Sequence, residues 1–389
     1  MARHLELCLT AAAAETACSS GVQYGTLIEP MSICNGEDCP IYCLFPAGFT
    51  YVLYGIFPYA NRLRLSLLPA RVMQLLPKTD RLAERRPYQG FSRFPSQDAA
   101  TSPAVGEGSH QLPEMLLRQA ESQRARVVLF TGCVADAMFR QVHWATARVL
   151  QANGCEVLIP RTQGCCGAIH YHSGAGGPTL DFARQNADAL LSSEVDAIIV
   201  NVAGCGSMLK DYGHIADELG ANDDRFARFA SKVQDVTEFL MELGPVAPTT
   251  PVPLKATYHD ACHLCHAQKI TEQPRRLLSM IPGLELLPLD ESDICCGAAG
   301  SYNLTEPEMA IVWETQSKQH PQDRSRSRHL SQCRLHTANP GPPPRNGHPL
   351  PVLHPVELLD QPTPKAHTFT HAHHQNSIRS ASQNGISCY

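Results

Sequence analysis

Two groups of cysteines repeat within this chain. The first holds Cys133, the pair Cys165-Cys166 and Cys205; the second holds Cys262 and the pair Cys295-Cys296. Each pair is followed by Gly-Ala, and Cys262 follows Cys133 by 129 residues while Cys295 follows Cys165 by 130. A near-constant offset marks a duplicated unit. Thiols clustered in glycine-flanked loops suit soft metals, and four thiolates hold an iron–sulfur cluster or a zinc ion. The first group is complete at four. The second stops at three, because the stretch matching Asn201-Val-Ala-Gly-Cys205 reads Asn339-Pro-Gly-Pro342. Cys265 lies three residues beyond Cys262 and has the spacing of a substitute ligand. The plain alternative is a set of ordinary core thiols, since free cysteine is among the most buried residue types.

A third group is broken. A ferredoxin run reads C-x2-C-x2-C-x3-C-P, and the same frame here reads Cys8, Ala11, Ala14, Cys18, Ser19. Alanine stands at both middle ligand positions, so Cys8 and Cys18 are the weakest metal candidates. Cys34, Cys39 and Cys43 match no iron–sulfur spacing and read as structural. Cys155 opens an apolar strand and belongs to the core; Cys333 and Cys388 carry no assignment. His170 and His172 follow the first pair, and His259, His263 and His266 surround Cys262. Histidine ligates iron or moves protons, but in loops it more often bonds backbone.

The elements that position these residues alternate between strand and helix. Apolar runs at 126–131, 155–160 and 196–201 read as buried strands, with helical spacing over 134–152 and 178–192 between them. Asn153-Gly154 is a helix stop. The second unit repeats this with strands at 255–259 and 284–288 and a helix at 273–281. Each cysteine of the first group is then expected in a loop just after a strand. In an open parallel sheet such loops gather along the carboxyl edge, where ligands bind. The fold class is therefore α/β, with two pseudo-repeated modules built on parallel sheets.

Composition sets the outer limits. The chain has 389 residues, 43% of them apolar, and a net charge of −5, which gives a nucleic-acid binder no support. Sixteen cysteines behind no secretory signal suggest reduced thiols and a cytoplasmic setting. Residues 39–61 carry no charge, but Pro40, Pro46 and Pro58 divide them. They are read as a buried, irregular connector, with a segment lying on a membrane surface as the next reading and a spanning helix last. Residues 62–83 read as a helix broken at Pro69 and Pro77, and 86–112 as a linker rich in Pro, Ser and Gly. The boundaries are 1–85 for the amino-terminal module and helical connector, 113–245 for the first module and 246–360 for the second. Residues 312–350 are anomalous in composition and look like a displaced reading frame, and 361–389 form a polar tail expected to be disordered.

The double Cys-Cys-Gly frame resembles the CCG cysteine-rich domain family. Heterodisulfide reductase B subunits, lactate-utilisation proteins and the iron–sulfur subunit of glycolate oxidase share that domain. Arg3–Thr10, Ser20–Gly25, Gly204–His214 and Val352–Asp360 look specifically like the glycolate oxidase subunit, with the resemblance stopping near Ala310 and resuming at Val352. The resemblance implies a small, degenerate ferredoxin-like helical module ahead of the two CCG modules. It implies clusters of the 4Fe–4S type held by Cys133, Cys165, Cys166, Cys205, Cys262, Cys295 and Cys296. FAD would reside on flavoprotein partners of a 2-hydroxy-acid oxidase and not on this chain, which shows no dinucleotide fingerprint. Electrons would pass towards a membrane quinone, with the protein cytoplasmic or peripheral at the inner face of the plasma membrane. A thiol or heterodisulfide reductase subunit and a scaffold without clusters are the competing readings. Met208 stands where heterodisulfide reductase members add a fifth cysteine.

Overall fold

The computed structural model describes residues 13–20, 22, 25, 47–69, 110–120, 122–221, 223–289, 292–293, 352–360 and 386–388. Two sheets organise them. The first has the order β1-β3-β2-β4-β5, with β1 at Met115–Leu116, β2 at Ala125–Leu129, β3 at Cys155–Leu158, β4 at Ala197–Val200 and β5 at Val233–Asp235. All neighbours run parallel except β1, which lies antiparallel on β3. The strands are apolar on both faces because helices cover both: Val127, Leu129, Ile198 and Ile199 are buried. From β2 the chain goes to one side (β3) and then to the other (β4, β5). The carboxyl ends of β2 and β4 therefore flank a topological switch point, the crevice where such sheets bind ligands.

Boundaries follow local chemistry. The expected helix over 134–152 is two helices, Val134–Met138 and Arg140–Ala152, broken where Phe139 leaves helical geometry at φ −124°, ψ 36°. Gly154 stops the second helix at φ +85°, a conformation that side chains with a Cβ resist. The connector departs from the sequence expectation. Between Pro46 and Pro58 it forms a helix at Ala47–Thr50 and a π-helical turn at Tyr51–Ile56, then the helix Ala60–Ser66. Leu53, Pro58 and Leu63 face inward, but Tyr51, Val52 and Tyr59 are exposed, so the stretch is amphipathic and not buried. Among the described residues no helix is long and apolar enough to cross a membrane.

The second sheet has the order β7-β6-β9-β8, with β6 at Leu254–Tyr258, β7 at Leu284–Leu287, β8 at Val352–Leu353 and β9 at Ile386–Cys388. This is the first sheet's arrangement again. β6 takes the place of β2, β7 that of β3 and β8 that of β5. After both β5 and β8 the chain enters a helix through a capping box, Asp235 with Glu238 and His354 with Glu357, 119 residues apart in each case. The place of β4 goes to β9, and Ile386 pairs with Ala256 as Ala197 pairs with Val127. Three residues of the tail expected to be disordered thus fill the position between β6 and β8, which otherwise offers two rows of unpaired backbone groups. The anomalous stretch 312–350 lies outside the described residues.

Removing residues 386–389 is expected to cost the second sheet about 2–4 kcal/mol, from backbone pairs at about 1 kcal/mol each. Amide exchange at Ala256–Tyr258 should accelerate while Val127–Leu129 stay protected. Unchanged protection of Ala256–Tyr258 would show that β9 contributes nothing.

Candidate metal centre

Three strand ends bring the first cysteine group together. Cys133 follows β2 and precedes the helix Val134–Met138; Cys165 and Cys166 lie in the loop after β3. Cys205 is not in a loop, as the sequence suggested, but in the first turn of the helix Ala203–Lys210 that follows β4. Gly132, at φ +65°, turns the chain between them; a Cβ there would meet the Phe130 ring at 3.2 Å and lie 3.9 Å from Cys205 Sγ. Cys133, Cys165 and Cys166 are buried, Cys205 is half-buried, and all four are free thiols.

The sulfurs form a hydrogen-bonded row. Cys133 Sγ lies 3.3 Å from Cys165 Sγ, Cys165 contacts Cys166, and Cys166 contacts Cys205. Cys165 is the acceptor: donation from Cys133 and Cys166, with the Gly167 N–H at 3.4 Å, holds it well below the ordinary thiol range. Donation to Cys165, together with burial, pushes Cys133 well up. Cys166 rises for the same reasons and through its bond with Cys205. The chemistry of the donor set fits a thiolate-ligated cluster: four sulfurs arrive from three strand ends, and the hydrogen bonds to one of them favour its thiolate form. Their arrangement is a row rather than a sphere; among the described residues no three ligating side chains surround a common point.

Backbone anchors hold the row. Asn186 donates to the Cys165 carbonyl at 2.8 Å and accepts from the Gly164 N–H at 2.8 Å. Tyr212 donates to the Cys166 carbonyl at 2.9 Å and accepts from Asn186 at 3.1 Å. Gln163 accepts from the Thr131 N–H and donates to the Leu129 and Pro160 carbonyls, tying the loop after β2 to the loop after β3. At the end of β4, Asn201 donates to His143 Nδ1 at 3.0 Å and to Thr146 Oγ1 at 2.8 Å. The backbone of Asn201 also bonds His354, the cap of the helix Pro355–Leu359 in the second module. Sequence spacing did not single out Asn186, Asn201 or His143 as anchors, because each acts on a loop far away in the chain. Tyr212 was visible only as part of Gly204–His214.

His170 is buried four residues after Cys166, with its ring 4.9 Å from that of Tyr54 and 5.4 Å from that of Phe182. Burial lowers its pKa, opposed by the charge on Cys165. His172 is exposed beside Tyr171, their ring centroids 5.9 Å apart.

The second group is only partly placed. Cys262 caps the π-helical turn His263–Ala267, and Cys265 is buried in it, its thiol pushed up to about 11 by burial. Its Sγ points back to the Cys262 carbonyl at 3.7 Å. This turn packs on the Ala203–Lys210 helix, where Gln268 donates to the Ala203 carbonyl at 2.9 Å. On its other side His266 Nδ1 lies 3.1 Å from Thr16 Oγ1, in the helix Ala13–Ala17 that ends beside Cys18. Cys8, Cys295 and Cys296 lie outside the described residues, as do Cys34, Cys39, Cys43 and Cys333.

The cysteine-rich domain family (CCG) matches residues 127–210 and 256–321, so the resemblance runs past Ala310. The chain is thus a two-module CCG protein. It is 32% identical over 317 residues to the probable glycolate oxidase iron-sulfur subunit of Bacillus subtilis, covering 79% of this chain and 70% of that one. It is 31% identical over 315 residues to the glycolate oxidase iron-sulfur subunit of Escherichia coli, with the same coverage. A lactate utilization protein of an Exiguobacterium species is 29% identical over 240 residues, 60% of this chain and 97% of that one. The chain belongs to the family of glycolate oxidase iron-sulfur subunits.

Burial lowers the pKa of His143 to about 4 from an ordinary 6.5, with His354 adding repulsion. Protonation would also turn Nδ1 into a donor facing the Asn201 amide. A base depressed by folding adds stability that is complete above about pH 6.5 and lost as pH falls towards about 4. The loss is about 3 kcal/mol. Denaturant melts of the metal-free protein should show it, and His143→Gln should flatten that slope. A variant with the wild-type slope would place the acid sensitivity elsewhere.

Proposed function

We propose that this chain is the electron-transfer subunit of a glycolate or other 2-hydroxy-acid dehydrogenase. It would take electrons from flavoprotein subunits, which would carry FAD, and pass them towards a membrane quinone from the cytoplasmic side. One observation carries the reading: four thiols from three strand ends converge at the switch point of a parallel sheet, in a chain of this family. Cys133, Cys165, Cys166 and Cys205 would hold one 4Fe–4S-type cluster. Cys262, Cys295 and Cys296 would be ligands of a second, incomplete site, and Cys8 and Cys18 the remnants of a third. A bound iron–sulfur cluster supplies reversible one-electron storage. The chain's residues set the conditions for it. Cys165 presents a sulfur whose thiolate form is favoured by donation from Cys133, Cys166 and the Gly167 N–H. Burial of the neighbouring thiols keeps water from the site, and such hydrogen bonds and burial are what tune cluster potentials.

The test is the iron and sulfide content of anaerobically purified protein. Cys165→Ser or Cys166→Ser should remove most of the bound iron, and Cys18→Ser should remove little. Equal losses from both would refute the ligand assignment. Purified chain should not reduce a dye with glycolate unless flavoprotein subunits are added; activity of the chain alone would refute the division of labour.

A further inference from the structure

We propose that the cavity between the connector and the thiol row is a binding site for a small organic dianion, a dicarboxylate or a phosphate monoester. The site stands on its geometry alone; its effect on a cluster rests on the electron-transfer reading. The cavity measures about 340 Å³, the size of a small-ligand pocket. The loops after β2 and β3 form one wall, through Gly132 and Gly164, and the helix Ala60–Ser66 contributes to the other. It therefore lies at the carboxyl edge of the parallel sheet, where open α/β sheets bind ligands. Gly132 and Gly164 immediately precede Cys133 and Cys165, so an occupant would sit beside the loops that carry both thiols.

The lining is unbalanced in charge. Among the described residues it carries three arginines, Arg62, Arg64 and Arg161, against one carboxylate, Asp136. Asp136 is already committed. Arg64 pairs with it and donates to its backbone carbonyl at 2.7 Å, and Arg140 holds it at 2.9 Å. The other two arginines have charge to spare. Arg62 stacks on Tyr59 at 4.1 Å and donates through Nη1 to the Gly55 carbonyl at 2.8 Å; among the described residues no carboxylate pairs with it. Arg161 meets Glu114 through Nε at 3.2 Å, and with side chains 40% and 68% exposed that pair is weak. The two arginines come from opposite walls, Arg62 from the connector and Arg161 from the loop after β3. A guanidinium fork on each side suits two anionic groups on one molecule. Tyr59 and Phe182, their rings 6.0 Å apart, add apolar wall for a carbon body. An inorganic anion would engage the forks and leave that wall bare. A negative charge held there should also lower the potential of a cluster on Cys133 and Cys165, because adding an electron beside an anion costs energy.

Calorimetric titration of the full chain, purified anaerobically, tests the site. Succinate or glycerol 3-phosphate should bind, and the neutral succinamide should not. Arg62→Gln and Arg161→Gln should each weaken binding about tenfold, and the double variant should abolish it. Both side chains are exposed, so circular dichroism and iron content should match the wild type. Arg184→Gln, at an exposed arginine outside the cavity, should change nothing. Binding of succinate alone would assign the site to dicarboxylates, and binding of glycerol 3-phosphate alone to phosphate esters. Failure of both to bind, equal weakening by Arg184→Gln, or inorganic sulfate binding as tightly as the organic probes overturns the proposal. At saturation the dianion should lower the midpoint potential of the wild-type chain and leave that of the double variant unmoved. A chain that binds the dianion yet holds no iron would defeat the electron-transfer reading and leave the site standing.

Discussion

A buried thiolate needs compensation, and a row of buried thiols can supply it only once. Cys133, Cys166 and a backbone N–H all donate to Cys165, which favours its thiolate form; the same bonds, with burial, favour the protonated forms of its neighbours. A second thiolate beside the first is opposed by desolvation and repulsion. A bound cation offsets both, since thiolate ligation and deprotonation are one equilibrium. The rest of the first module serves this constraint. The strand order opens a crevice, glycine lets the chain pass near sulfur, and Asn186 and Tyr212 hold the Cys165 and Cys166 carbonyls.

How far the sequence discloses this depends on how local the cause is. Strands β2, β3, β4 and β6 were legible as apolar runs, because both faces of a parallel sheet are largely buried; β7 lies half-exposed at a sheet edge and was legible from its leucines alone. The cysteine repeat was legible because a ligand set must keep its spacing. The connector was misjudged for an identifiable reason. Proline at 46 and 58 argues against a long helix but leaves room for a short one between, and uncharged residues do not show which side meets solvent. Strand β5 is three residues long, too short for periodicity to reveal it. Asn186, His143 and Asn201 look like ordinary polar positions until the sheet brings them against backbone groups distant in the chain.

The two modules share more than a fold. The helix Pro355–Leu359 of the second module packs on Arg140–Ala152 of the first, with Val356 in the same core as Leu150. Arg148 and Asp360 pair at the rim. His354 reaches Asn201, so the cap of a helix in one module steadies the strand end that leads to Cys205 in the other. The cysteine sites are likewise joined end to end. The Cys262 turn lies between the Cys205 helix and the helix that precedes Cys18. The turn that carries Cys262 and Cys265 thereby acts as a spacer against the Cys205 helix.

The placement of β9 has a consequence for how the chain is made. Ile386 pairs with Ala256, 130 residues earlier, whereas Ala197 pairs with Val127 across only 70. Contacts that span so much chain form late, because loop closure must precede any gain from pairing. On the ribosome the first module has all its strands once residue 235 has emerged, but β6 must wait for residue 386 with an edge uncovered. Maturation is therefore vectorial, with the thiol row assembled long before the second sheet closes.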